Sequence, residues 1–253
     1  MTPLFLFRLF LDIAALGLML TALAYDLLGN IAHEIIGTGL FLLISAHNVF
    51  NRRWYGTIPR ARQARGLINT TMILALLTAM LALLVTSLMI SRSLFIFLPL
   101  SGGFSAGQIH TLAAYWALVF VSIHLGMRWS MIMAVTRTIF RIYTPSTARA
   151  AFLRMVAVAI AAYGVHSLVA MDMGSKLTAR ITMNFWDFGQ STWGFFVHCG
   201  SIVGLWVFLT HYLAKWVLRR TASRHGASVP LSPDRPCRDG SIEPVRSSRS
   251  HTL

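Results

Sequence analysis

The sequence predicts an all-α, polytopic membrane protein with six spans, and three observations carry that prediction. Hydrophobic residues make up 56% of the 253 and charged residues only 12%, with a mean hydropathy of +0.64, whereas a soluble globule carries about a quarter charged residues. Six apolar segments, at 4–28, 31–50, 67–90, 108–133, 149–172 and 193–218, each reach the roughly 20 residues that cross a bilayer as a helix. The basic residues gather in alternate connections, as the positive-inside rule requires.

The first segment is too long an apolar run for the core of a signal peptide and reads as a retained helix. The second carries His33 and His47. The third, NTTMILALLTAMLALLVTSLMI, has no charge and reads as a packing wall. Gly102, Gly103 and Gly107 mark 98–108 as an exposed loop before the fourth segment, which carries His110 and His124. The fifth holds His166 and the sixth His198 and His211. Between them, Phe185, Trp186 and Trp193 suit an interfacial aromatic belt. Residues 221–253 are rich in Ser, Pro and Arg and read as a disordered basic tail, with His225 and His251 solvated.

The formal net charge of +14 does not call for nucleic acid, because its placement follows the membrane. Arg52, Arg53, Arg60, Arg62 and Arg65 follow the second span, and Arg128, Arg137, Arg141, Arg149 and Arg154 surround the link from fourth to fifth. More follow the sixth, from Lys215 onward. On the opposite side stand only Arg92, Lys176 and Arg180. Both termini are therefore expected in the cytoplasm. Cys199 and Cys237 belong to no CxxC or CxxCH motif, so neither a disulfide framework nor covalent haem attachment is expected.

His33 and His47 are fourteen residues apart, and so are His110 and His124. Fourteen helical steps return to within about 40° of one face, roughly 21 Å further along. Each pair thus sets one imidazole near either side of a hydrocarbon layer about 30 Å thick. The second and fourth spans run in the same direction, so His33 meets His110 at the outer side and His47 meets His124 at the inner side. Ionisable side chains inside spans are costly and point to function. Neutral imidazoles paired in this way suit the two axial positions of a haem iron, a closed centre for electron transfer. The opposing reading is isolated histidines hydrogen-bonded in a bundle. It does not account for four matched in spacing and depth.

The segments HEIIGTGLFLLISAHNVFNRRW and HTLAAYWALVFVSIHLGMRW resemble the two haem-bearing helices of the flavinylation-associated cytochrome family. That family is similar in plan to respiratory cytochrome b and to the membrane cytochromes of formate dehydrogenases and hydrogenases. The resemblance covers about residues 5–133. It implies a four-helix cytochrome b-like bundle over 1–140 with two b haems, a two-helix extension over 141–220, and the tail over 221–253. It also implies a bacterial cytoplasmic membrane and electron transfer between the quinone pool and a redox partner. No flavin-attachment motif is recognisable here, so a flavin would belong to that partner.

Arg52, Arg53 and Arg128, just beyond the inner histidines, are candidates to neutralise haem propionates; topology alone also asks for arginine there. Glu34 has two readings, a polar relay beside the outer haem or quinol, or a carboxylate favoured by the helix start. Asp12 is expected to pair with Arg8, its i−4 neighbour. Gly37 and Gly39 suit close approach of a helix or a flat macrocycle. Ser45 and Ser122, each two residues before an inner histidine, hint at a duplication. His198 and His211, thirteen apart, miss a common face by about 140°; one of them could pair with His166, line a quinone pocket or serve structure. The competing function is a transition-metal transporter or sensor, which would gather histidines with Met, Cys, Asp or Glu at one depth.

Overall fold

The computed structural model describes residues 3–52, 56, 64–142, 144–181 and 185–226. All of its regular structure is helical: α1 (Pro3–Ala22), α2 (Tyr25–Phe50), α3 (Ala64–Ile90), α4 (Gly103–Ile139), α5 (Thr147–Ala170), α6 (Met173–Leu177) and α7 (Thr192–Gly226). Among the described residues, all but α6 are long and apolar enough to cross a membrane. Large apolar side chains such as Phe10, Leu42 and Val169 face outward with 63%, 69% and 80% of their surface exposed. Such a surface suits contact with lipid. Phe185 and Trp193 are also exposed, as an aromatic belt requires, whereas Trp186 turns inward.

Several helix boundaries differ from the sequence reading: α4 runs on to Ile139, past 133, and α7 to Gly226, past 218 and into the segment read as a disordered tail. The first span ends at Ala22, not 28, because the chain turns at Leu23–Ala24 and α2 begins at once. A kink interrupts α2 at Gly29, whose φ of 72° and ψ of 173° lie in a region open only to glycine. The loop expected to run to residue 108 ends earlier, since α4 starts at Gly103, itself at φ 55°. Gly107 therefore lies within the helix. A short helix, α6, also forms in the connection between the fifth and sixth spans.

The chain divides into two units, Met1–Ala214 and Lys215–Leu253. The second begins with the last turns of α7; most of the tail, from 227 on, and the side chain of His225 lie outside the described residues. In the first unit α1 packs along α2 and α3 along α4, while α6 seats on α4 and α5. The buried residues form one apolar cluster, from Met19 on α1 through Leu118 on α4 to Ile202 on α7, the last two fully buried. The last span, α7, thus shares a core with the first four, and α5 reaches it through the half-buried Leu168.

Tight helix crossings depend on glycines other than those singled out from the sequence. A Cβ on Gly164 of α5 would stand 2.5 Å from the Ser201 carbonyl oxygen and 2.7 Å from Leu205 Cβ of α7. One on Gly126 of α4 would stand 2.7 Å from Thr210 Cβ. Gly37 and Gly39, by contrast, have nothing within 4 Å of such a carbon, so no helix approaches closely there. Small residues let membrane helices meet backbone to backbone, and overpacking costs about 1–3 kcal/mol. Gly164→Val is expected to lower the unfolding temperature of the detergent-solubilised protein by several degrees. Gly17→Ala, made where a Cβ meets nothing, should leave that temperature unchanged or raise it.

Candidate functional site

The two helix pairs bring His33 of α2 against His110 of α4, with ring centroids 6.0 Å apart and planes inclined at 69°. Each ring is held by its Nδ1. That of His33 lies 2.9 Å from the Ala22 carbonyl oxygen at the end of α1. A carbonyl only accepts, so Nδ1 carries the hydrogen. The Nδ1 of His110 lies 3.0 Å from Thr86 Oγ1 of α3. Thr86 gives its own hydroxyl hydrogen to the Ala82 carbonyl, 2.6 Å away, so it accepts from His110. With the hydrogen on Nδ1, the neutral form of each ring keeps its lone pair on Nε2. A metal-binding histidine is oriented in this way, its second nitrogen donating to an oxygen of the outer shell.

A cavity of about 880 Å³ opens on this pair, with His33, Glu34, Gly37, His110 and Tyr115 in its wall. That volume lies in the range of cofactor sites. A smaller void of about 60 Å³ continues inward past His33, Gly37 and His110 to Met80 and Leu83. The open space beside Gly37 is part of this cavity, which accounts for a glycine that no helix touches.

At the other end of the bundle His47 meets a carboxylate. Its Nδ1 lies 2.7 Å from Asp12 Oδ1 of α1, and Asn51 Nδ2 donates to the His47 carbonyl at 3.0 Å and reaches Nε2 at 3.2 Å. Nε2 again bears the lone pair. His124 lies within electrostatic range of Arg128, Asp12 and His47. Its Nδ1 is buried without a hydrogen-bond partner, and a buried ring nitrogen left unpaired asks for an explanation. The expected pairing of Asp12 with Arg8 is not what forms. The Asp12 carboxylate goes to His47, and Arg8 donates to the Phe50 carbonyl at 2.9 Å. Arg52 and Arg128 are exposed beyond this end, and Arg53 lies outside the described residues.

Glu34 sits beyond the first turn of α2, so it is not a helix-start charge, and it is held by four donors. It accepts from Asn30 Nδ2 (2.9 Å), Ser91 Oγ (2.8 Å) and the backbone amides of Arg92 (2.8 Å) and Leu94 (2.7 Å). It ties the α3–α4 connection to α2, one residue from His33. A hydrogen bond to a charged group is worth about 1.5–3 kcal/mol. Glu34→Ala is therefore expected to speed amide hydrogen exchange at Arg92 and Leu94 by more than about tenfold.

The later spans bring His166 and His198 to 5.9 Å between ring centroids. His198 donates from Nδ1 to Ser167 Oγ at 2.8 Å, stacks on Tyr163 at 5.2 Å and meets the edge of Trp186 at 5.1 Å. Tyr163 and His166 are exposed on the apolar surface. His211 packs edge-on against Tyr212 instead. The two serines of the suggested duplication differ, Ser122 being fully buried and Ser45 exposed. Sequence reasoning missed Thr86, hidden in the span read as a wall, and Lys176, in the cavity wall 5.0 Å over the Tyr115 ring.

The chain stands apart. No protein-family model, no curated protein and no solved structure matches it. The site must be read from its own chemistry. Among the described residues no three His, Cys, Asp or Glu side chains gather into a metal-binding group; the histidines in ring contact with each other are His33 with His110 and His166 with His198. Two imidazoles on opposite sides of one metal ion, with metal–nitrogen bonds of about 2 Å and ring radii of about 1 Å, have centroids about 6 Å apart. The spacing of His33 and His110, their fixed tautomers and the adjoining cavity fit a haem with two axial histidines. The second pair fits less closely: among the described residues His47 and His124 make no ring contact, His124 Nδ1 lacks an orienting partner, and the lone pair of His47 Nε2 accepts from Asn51 at 3.2 Å.

Proposed function

We propose that the protein carries electrons across a bacterial cytoplasmic membrane through two b haems, one held by His33 and His110 and the other by His47 and His124. The observation that carries this reading is the His33–His110 pair: 6.0 Å between centroids, both Nδ1 atoms committed to oxygen acceptors. When bound, haem iron supplies reversible one-electron chemistry with no open coordination position. The chain's own part is orientation and insulation. Ala22 and Thr86 hold the first pair of rings, Asp12 holds His47, and apolar helices exclude water around them.

Electrons would pass between membrane quinone and a redox partner, flavin-bearing if the resemblance to flavinylation-associated cytochromes holds. Support for quinone contact comes from the exposed imidazole of His166 beside the buried His198, whose Nε2 accepts from the Tyr163 hydroxyl at 3.4 Å. The one-sided basic residues support cytoplasmic termini, and with them an outer position for the His33–His110 pair. The competing metal-transporter reading has no convergent ligand cluster among the described residues to favour it.

The reading is tested by purifying the full chain from haem-replete cells. An oxidised-minus-reduced visible spectrum is recorded together with a pyridine haemochrome count. A b-type spectrum with two haems per chain is expected. A folded protein free of haem would sink the reading.

A further inference from the structure

Topology places three basic residues on the side opposite the arginine-rich connections, namely Arg92, Lys176 and Arg180, and all three line the large cavity. They arrive there from different segments. Arg92 follows α3, Lys176 sits on α6 and Arg180 lies just after it. Trp116 Nε1 of α4 donates to the Leu177 carbonyl at 3.1 Å, which fixes α6 and so the stem of Lys176. Arg92 and Arg180 are exposed, and Lys176 is half-buried. Membrane sorting disfavours basic residues on this side, so three in the wall of one cavity need a reason of their own.

The acidic side chains in the same wall do not satisfy them. Glu34 is occupied by Asn30, Ser91 and two backbone amides. Asp26 lies in the wall as well, but among the described residues the only ion pair within 4.0 Å is that of Asp12 with His47. Burial pushes the Lys176 ammonium below the ordinary lysine range, while Cys199, Asp172 and Asp26 pull it back up. A half-buried ammonium without a carboxylate in contact gains from any anion that enters beside it.

We propose that Arg92, Lys176 and Arg180 form an anion site in the cavity wall that takes a pair of carboxylates. Two sources share that chemistry: the propionates of a haem seated between His33 and His110, or a small dicarboxylate from the aqueous phase. The first source rests on the di-haem reading; the second does not. In either case the guanidinium groups offer forked donors and the ammonium a point charge.

The test compares the full-length protein with a triple variant, Arg92→Gln, Lys176→Met and Arg180→Gln. Haem transfer to excess apomyoglobin and binding of succinate by calorimetry are both measured. Faster loss of one haem, by about tenfold or more, with no succinate binding in either protein, supports the site with propionates as occupant. Equal haem retention, with succinate bound by the parent and not by the variant, supports it with a soluble dicarboxylate. Equal retention and no difference in succinate binding overturns the site and leaves the di-haem reading intact. A haem-free parent overturns the di-haem reading, and the site then stands or falls on succinate alone. The single variant Lys176→Arg keeps the charge; with equal helix content by circular dichroism it should behave as the parent, separating charge loss from misfolding.

Discussion

His110→Ala is expected to leave one b haem per purified chain in place of two, with the remaining haem unchanged in its spectrum. The physical reason lies in how few groups hold the site. Each iron would have two axial bonds from protein, and the substitution removes one of them together with its orienting contact to Thr86, 3.0 Å away. His33→Ala should give the same count, since its ring faces the same space. The double substitution should then lose no more than either single one, as partners in one site are not additive. A protein with His33→Ala and His47→Ala should carry no haem, because those residues belong to different pairs. A double variant of His33 and His110 that retained no haem would mean the pairing is wrong. The pyridine haemochrome count checks all of these, with circular dichroism to show that the helices persist.

Asp12→Asn is expected to change one haem without removing it. A carboxylate 2.7 Å from Nδ1 draws the ring hydrogen and makes the opposite nitrogen a stronger donor to iron. A stronger donor favours the ferric state, so replacing the charge by a neutral amide should raise the midpoint potential of the His47–His124 centre. The other centre, oriented by an uncharged carbonyl and a hydroxyl, should keep its potential. Outer-shell substitutions of this kind cost about 10–100-fold in affinity, so loss of that haem to apomyoglobin should quicken by a comparable factor. A redox titration followed in the visible band reads the shift. Equal movement of both components would show that Asp12 acts through general electrostatics and not through His47.

Much of the fold and the His33–His110 pairing was legible because periodicity and depth are properties of a single helix. Fourteen residues define both a face and a height, and alternation of basic connections supplies direction. What escaped depends on rotation between helices. Asp12 and Arg8 are four apart on one helix, yet Asp12 turns to His47, 35 residues away. Thr86 is one hydroxyl in an apolar run, and only the packing of α3 on α4 gives it His110 as a partner. Gly37 and Gly39 look like Gly126 and Gly164 in sequence. The first two face open space and the last two face another backbone. Glu34 was visible as a charge in a span, but its four donors lie on its own helix and on a connection about 60 residues downstream. The helix start at Tyr25 was missed because only the two apolar residues Leu23 and Ala24 separate α1 from α2, and that at Gly103 because the glycine itself, at φ 55°, begins the helix.

The fourteen-residue interval within α2 and α4 has an energetic consequence once the chain sits in an energised membrane. A step of roughly 21 Å covers about two thirds of a hydrocarbon layer of about 30 Å. Moving one elementary charge through the full layer is worth about 2.3 kcal/mol per 100 mV. An electron passing from one histidine level to the other would therefore gain or lose about 1.5 kcal/mol per 100 mV. Transfer in one direction would be slowed by respiration and transfer in the other assisted by it. The protein would then act as a rectifier whose throughput follows the electrical state of the cell.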